Sequence, residues 1–329
     1  MVKQTTNRYL TPWLTLALLF VSQCFAAFAS GQRVELAGMI TELKVGRGQV
    51  EIKPAGAQDW RRAGPLMALR ASDEIRSTDD ASAVILLSSG RGSVKVVAGS
   101  SPFVVPAPQA GEAKVQKVMT FLDAILSFLL NTAKEVKHAP ASTRDGPKLP
   151  VILSPRNGPV LPDSLTFEWL ESPFARHAIR ILGSQGVVLE KKDLTAAKFD
   201  YPSDVPPLTS GVRYTFELLS AKHPAQQTWF EVLDPTRAQA IRLDLEELDQ
   251  AVGRTVPPNT FVALRAALLA SNGLLHDARL LLIGALAKDP NEPTLHLLLG
   301  NLYDKAGLPV QAAESYNEAR FLLSGQTKR

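Results

Sequence analysis

The chain has 329 residues, 45% of them hydrophobic and 21% charged, with 36 basic and 32 acidic side chains and a single cysteine. That size and balance support two or three domains with their own cores and exclude a disordered chain or a strongly basic nucleic-acid binder. One cysteine excludes an internal disulfide framework and a thiolate metal cluster.

Lys3 and Arg8 precede an apolar run from Trp13 to Val21, followed by small residues ending in Ala27-Phe28-Ala29. A basic start, a short apolar stretch and an A-x-A site are the marks of a secretory signal. They predict cleavage after Ala29 (segment 1–29) and a periplasmic or secreted product. The apolar run is shorter than the ~20 residues a spanning helix needs, with an uncleaved anchor as the alternative. Lipoprotein processing at Cys24 is opposed by Gln23. Cleavage removes Cys24 and leaves 34 basic against 32 acidic residues, a net charge of +2.

Residues 32–105 alternate in short apolar runs, including Val50-Glu51-Ile52-Lys53, Ser82 to Leu87 and Ser93 to Val97, punctuated by Gly46-Arg47-Gly48 and Ser89-Gly90-Arg91-Gly92. Period-2 alternation between glycine turns predicts an antiparallel β-unit, with a hairpin at the second turn. That turn precedes a strand rather than a helix, so it lacks the helix N-terminus of a phosphate loop.

Gly48-Gln49-Val50-Glu51, Trp60, Leu69, Asp73-Glu74-Ile75-Arg76-Ser77-Thr78, the run Ala81 to Leu87, Gly90 and Ser100 resemble a FecR domain. Ser72 and Ser89 stand where that family prefers Gly and Asp. The resemblance implies an all-β periplasmic domain; siderophore-signalling members carry a cytoplasmic anti-sigma segment and a membrane helix before it. Only about a dozen residues precede the apolar run here, so direct sigma-factor control is not expected.

Over 111–138, Val115, Val118, Met119, Leu122, Ile125, Leu126, Leu129 and Leu130 recur at steps of three and four, which predicts an amphipathic helix. Packing against the β-unit is the expected use of its stripe; membrane contact by the helix at 115–130, or a partner, is the alternative. Residues 139–148 have linker composition. Residues 149–233 return to short strands, among them Leu165 to Trp169, His177 to Ile181, Tyr214 to Leu218 and Thr228 to Val232. This spacing, with Trp169 available between sheets and Tyr214 after a turn, predicts an immunoglobulin- or fibronectin-like sandwich. Glu190-Lys191-Lys192-Asp193 reads as a solvated turn within it.

Residues 235–325 carry a repeat: Gly273 and Gly307, Ala278 and Ala312, and Ala285 and Ala319 are each 34 positions apart. With Leu299-Gly300, Tyr303 and Tyr316 they resemble tetratricopeptide repeats (TPR), in which glycine turns the chain between helices A and B and small residues let the helices approach. Arg265 and Leu282 depart from the pattern. A further helix before them, with the stripe Ile241, Leu245, Leu248 and Val252, supplies the extra layer that two repeats need. Its acids Asp244, Glu246, Glu247 and Asp249 read as a solvated face.

His138, His177, His223, His276 and His296 show no metal-ligand spacing, and no nucleophile elbow or dinucleotide glycine motif occurs. No cofactor, metal or catalytic residue is therefore expected, and the chain reads as no enzyme. The expected fold class is multidomain β plus α: a FecR-like β-domain, a sandwich and C-terminal helical repeats. The TPR resemblance implies a groove lined by helix A, pointing to Thr294, Leu297, Asn301, Asp304 and Lys305 in the second copy. In the first copy it points to Thr260, Ala263, Ala267 and Ser271. A groove too shallow for a ligand, serving only to dock another domain, is the alternative. The expected role is a protein-interaction scaffold or sensor with protein partners in the cell envelope and no nucleic acid. Peptidoglycan binding and regulatory input to a membrane signalling system are the alternatives.

Overall fold

The computed structural model describes residues 36–88, 92–108, 125–126, 150–162, 165–170, 176–221 and 223–325. The signal at 1–29, the linker at 139–148 and the 111–138 helix, apart from Ile125 and Leu126, lie outside them. The described chain is mixed β plus α, with several antiparallel sheets and five long helices. None of those helices is long and apolar enough to cross a membrane.

The first module holds β1 (Gly38–Lys44), β2 (Val50–Lys53), β3 (Arg61–Arg62), β4 (Ala68–Leu69), β5 (Glu74–Ser77), β6 (Ser82–Leu87), β7 (Ser93–Val97) and β8 (Phe103–Val104). They form two four-stranded antiparallel sheets, β4-β1-β6-β7 and β3-β2-β5-β8. Ile40, Leu43 and Ile85 from one and Ile52 and Ile75 from the other meet in a single buried cluster. The alternation of β2 and β5, one face buried and one half-exposed, is that of a sheet packed on one side. Asp73 closes the turn into β5 by accepting the Arg70 and Ala55 amides at 2.8 and 2.9 Å. Beside it Ser72 is held at φ +67, a backbone region that suits glycine. Residues 89–91 lie outside the description, and the β6–β7 pair they join is antiparallel.

The second module has a five-stranded sheet, β10-β16-β15-β12-β13, over a three-stranded one, β14-β11-β9. Its strands are β9 (Val151–Ser154), β10 (Gly158–Val160), β11 (Thr166–Leu170), β12 (His177–Gly183), β13 (Gly186–Leu194), β14 (Lys198–Asp200), β15 (Arg213–Ser220) and β16 (His223–Val232). All pairings are antiparallel except β10 with β16. Phe167 and Trp169 of one sheet and Phe216 and Phe230 of the other share a core, with Phe167 edge-on to Phe230 at 5.6 Å. Tyr214 accepts the Thr209 amide at 2.8 Å, fastening the loop before β15. The Glu190 to Asp193 stretch is not a turn: it lies within β13, an edge strand whose exposed face needs no apolar alternation.

The helical module comprises α1 (Pro235–Val252), α2 (Pro258–Ser271), α3 (Leu275–Leu286), α4 (Pro293–Lys305) and α5 (Pro309–Leu323). Asp234 caps α1 by accepting the Arg237 amide at 3.0 Å, with proline in the first turn. The stripe Ile241, Leu245, Leu248 and Val252 is buried. Arg265, at a position the repeat pattern makes apolar, instead bonds Asp249 of α1 and lies over the Phe261 ring. The glycines spaced by 34 positions stand in the α2–α3 and α4–α5 turns at φ +80 and +73. Gly300 lets α5 approach α4: a Cβ there would stand 2.4 Å from the Tyr316 ring. The described residues belong to one compact unit, and Met39, Leu66 and Leu86 of the first module share a buried cluster with Leu233 and the helices. Ile125 and Leu126 are helical and belong to that cluster too.

Candidate partner-binding site

At 100° per residue, Thr260, Ala263, Ala267 and Ser271 form one stripe of α2, and Thr294, Leu297, Asn301, Asp304 and Lys305 one stripe of α4. Strand β1 packs against the N-terminal halves of both helices. Thr260 donates its amide and its hydroxyl to Glu42, each at 2.8 Å, and its Oγ1 lies 2.9 Å from that of Thr41. The Leu43 amide donates to Glu292 Oε1 at 3.2 Å, and the same oxygen caps α4 by accepting the Thr294 amide. Lys44 pairs with Asp289 at 2.7 Å, and Asn259 donates to the same carboxylate at 2.9 Å.

Nine residues were expected to line a partner groove, and the fold divides them. Thr294, Leu297 and Asn301 are buried at 0%, 6% and 1% exposure, as are Thr260, Ala263 and Ala267 of the first copy. Ser271, Asp304 and Lys305, at the C-terminal ends of α2 and α4, remain exposed. Asn301 and Ala267 line one small apolar space between α2, α3 and α4. The stripe is thus filled from within at one end and open at the other, because the helices and the β-sheet satisfy each other's apolar and polar faces.

Glu292 is the costly member of this seam. It is fully buried, its Oε2 has no hydrogen-bond partner, and burial together with the nearby Glu42 carboxylate pushes its pKa up to about 7 against the pull of the Thr294 and Leu43 donors.

A second polar seam binds the sandwich to α3 and α4. Ser154 of β9 bonds His276 Nδ1, and Arg279 forms an ion pair with Glu168 of β11. Arg279 Nε also donates to the Tyr303 hydroxyl at 3.4 Å, and Arg156 Nε donates to the Ala306 carbonyl at 2.8 Å. Burial, with the Arg279 cation adding, lowers His276 to about 4, so it stands neutral. A serine bonded to a histidine invites a catalytic reading. Ser154 and His276 are 2% and 6% exposed, and their bond ties β9 to α3. Nearby Gly158 and Gly273 bring β10 and the α2–α3 turn into backbone contact.

Beyond the clamp a cleft of about 320 Å³ opens between the sandwich and the α4–α5 hairpin. Its floor is Leu153, Leu170, Leu299 and Tyr303, and α5 lines its side with Gln311, Glu314, Ser315 and Glu318. Sequence reasoning missed this cleft and both seams. The one signal for the clamp was His276 and Arg279, three apart on the face that also carries Leu275 and Leu282. Among the described residues no group of three or more His, Cys, Asp or Glu side chains is placed to hold a metal.

No family model matches the chain, and no curated protein matches it. Among solved structures, extracellular domains 3–5 of Drosophila OTK are similar over 29% of this chain and 38% of that one, at 12% identity and a TM-score of 0.20. The beta-glucuronidase of Faecalibacterium prausnitzii is similar over 63% of this chain and 35% of that one, at 10% identity and a TM-score of 0.20. The chain spans under two fifths of either protein, and likenesses this weak bear on neither fold nor function.

Proposed function

We propose that the chain is an exported, non-enzymatic scaffold of the cell envelope, in which a FecR-like β-domain and an immunoglobulin-like sandwich are held on a two-repeat TPR-like hub that meets a protein partner. The observation that carries the reading is the 34-residue period, realised as the paired helices α2/α3 and α4/α5 with glycine at both turns. Helical repeats of this kind stack into surfaces that hold other chains. Export rests on the basic, apolar and small-residue order of residues 1–29. The burial of Ser154 and His276 supports a structural use for that pair.

The test is photo-crosslinking in intact cells from probes at Ser271, Asp304, Lys305 and Glu314. One discrete adduct from at least one of these helical positions, absent from probes on the exposed edge strand at Val187, is the expected result. Equal labelling at every position would overturn the reading. So would turnover of cell-wall or nucleotide substrates by the purified protein, or its retention on purified peptidoglycan.

A further inference from the structure

We infer that the seam between β1 and the N-termini of α2 and α4 is a proton-controlled latch, which in acid holds the first module over one end of the repeat face and toward neutral pH lets it lift. The inference deepens the scaffold reading and rests on it only for the protein that the uncovered face would meet.

Four consecutive residues build the seam. Thr41 and Glu42 engage Thr260 in the first turn of α2, and Leu43 and Lys44 engage Glu292 and Asp289 at the entry to α4. A helix N-terminus carries amides with no partner inside the helix, and a carboxylate placed there satisfies them. Each helix here has one: Glu42 reaches Thr260 from the other module, and Glu292 accepts the Thr294 amide from its own chain entry. Met39 of the same strand lies in the buried cluster that holds Ala263 and Ala267. Separating the seam therefore bares Thr260 and Thr294, part of the face that the repeat resemblance assigns to a partner.

The donors at the seam do not suffice for two anions. Glu42 Oε1 takes the Thr260 amide and hydroxyl, and Glu292 Oε1 takes the Leu43 and Thr294 amides. Glu292 Oε2 is left with no hydrogen-bond partner, on a residue that is 0% exposed. A buried anion facing a like charge is costly, whereas the neutral carboxyl is far less so. Burial first, and then Glu42, accordingly raise Glu292 to about 7. Lys44 and Asp289 pair at 2.7 Å on the rim; against the pull of burial, their bond raises the one and lowers the other, so both stay charged. The one ionisable side chain of α2, Arg265, is bound to Asp249. On α4, His296 turns away to the Pro290 carbonyl, its Nε2 at 2.9 Å.

Thiol labelling of the full chain tests this, in a Cys24→Ser background carrying Thr41→Cys, at a position 1% exposed, or Ser271→Cys, at an exposed one. Dividing the first rate by the second cancels the pH dependence of the thiol itself. The neutral Glu292 carboxyl favours the closed seam, and its anion, with an ordinary value of 4.5 once wetted, favours the open one. The ratio should rise on the order of a hundredfold from pH 4.5 to 8, levelling off above about 7, and Glu292→Gln should flatten it. A flat ratio with Glu292 in place, or an equal climb with Glu292→Gln, overturns the latch. Ala83→Cys, inside the first module's own core, reports global unfolding, and a matching climb there overturns it as well. Should Thr41→Cys fail to fold by circular dichroism, hydrogen exchange at the Leu43 amide, corrected for its intrinsic rate, reads the same opening in the native sequence. No partner enters this experiment, so a flat ratio removes the latch and leaves the scaffold. Absence of crosslinks from every helical position removes the scaffold and leaves the latch.

Discussion

Two buried groups, one in each seam, titrate in opposite directions, and their removal should expose a cancellation that the native chain conceals. Glu292 moves from 4.5 to about 7 on folding, and His276 from 6.5 to about 4. At roughly 1.4 kcal/mol per pH unit, each displacement is worth about 3 kcal/mol. A raised carboxyl contributes stability that is full below its unfolded value and lost as pH climbs from 4.5 through about 7. A lowered histidine contributes stability that is full above 6.5 and lost as pH falls towards about 4. Between pH 4.5 and 6.5 folding takes up one proton at Glu292 and releases one at His276, so the two contributions offset. Glu292→Gln keeps an acceptor for the Leu43 and Thr294 amides and removes the titration. Its stability should then rise by about 3 kcal/mol from pH 4.5 to 7 relative to wild type. His276→Asn, whose amide can still bond Ser154, should fall relative to wild type by a similar amount, about 3 kcal/mol, from pH 4 to 6.5. Urea unfolding of wild type, both single variants and the double variant at half-unit pH steps reads these differences directly, and all other titrating groups cancel in the subtraction. A wild-type minus Glu292→Gln difference that stays flat within about 1 kcal/mol from pH 4.5 to 7.5 would refute the burial argument.

Gly300→Ala puts a methyl into the Tyr316 ring and should cost about 1–3 kcal/mol, whereas Gly284→Ala, with open space around its Cβ, should gain up to about 1 kcal/mol; thermal melts of the pair distinguish close packing from helix propensity. Ser72→Gly relieves the positive φ beside Asp73 and should stabilise the first module by about 1 kcal/mol in a denaturant midpoint. Arg279→Met leaves the half-buried Glu168 without its cation and should cost about 3 kcal/mol, most of it recovered when Glu168→Gln is added; a double variant no better than the single one would show that the ion pair is not what holds α3 to the sandwich.

Much of the architecture was legible because it rests on local rules. Period-2 alternation marked the strands, the stripe from Ile241 to Val252 marked α1, and glycines 34 positions apart marked the turns where φ is positive. Where local rules ran out, the reading slipped. The charged stretch from Glu190 to Asp193 looked like a turn, because nothing in four consecutive residues says that an edge strand has water on its outer face. Arg265 looked like a flaw in the repeat until Asp249 of the preceding helix supplied its partner.

The candidate site was the least legible part. Helix periodicity puts Thr260 and Ala263 on one face of α2 and Thr294 and Asn301 on one face of α4, which follows from 3.6 residues per turn, and the TPR resemblance implied that the two faces line one groove. What covers that face could not be read from the chain, because Thr41 and Glu42 are more than two hundred residues from Thr260 in sequence. The cleft has the same origin, since Leu153 and Gln311 become neighbours only when the sandwich clamps onto α3 and α4. Residue order therefore decided which elements form and which faces are apolar, through dihedral preferences and periodicity that act over a few residues. Tertiary packing decided which of those faces stays open, because burial and hydrogen-bond satisfaction are settled between segments distant along the chain.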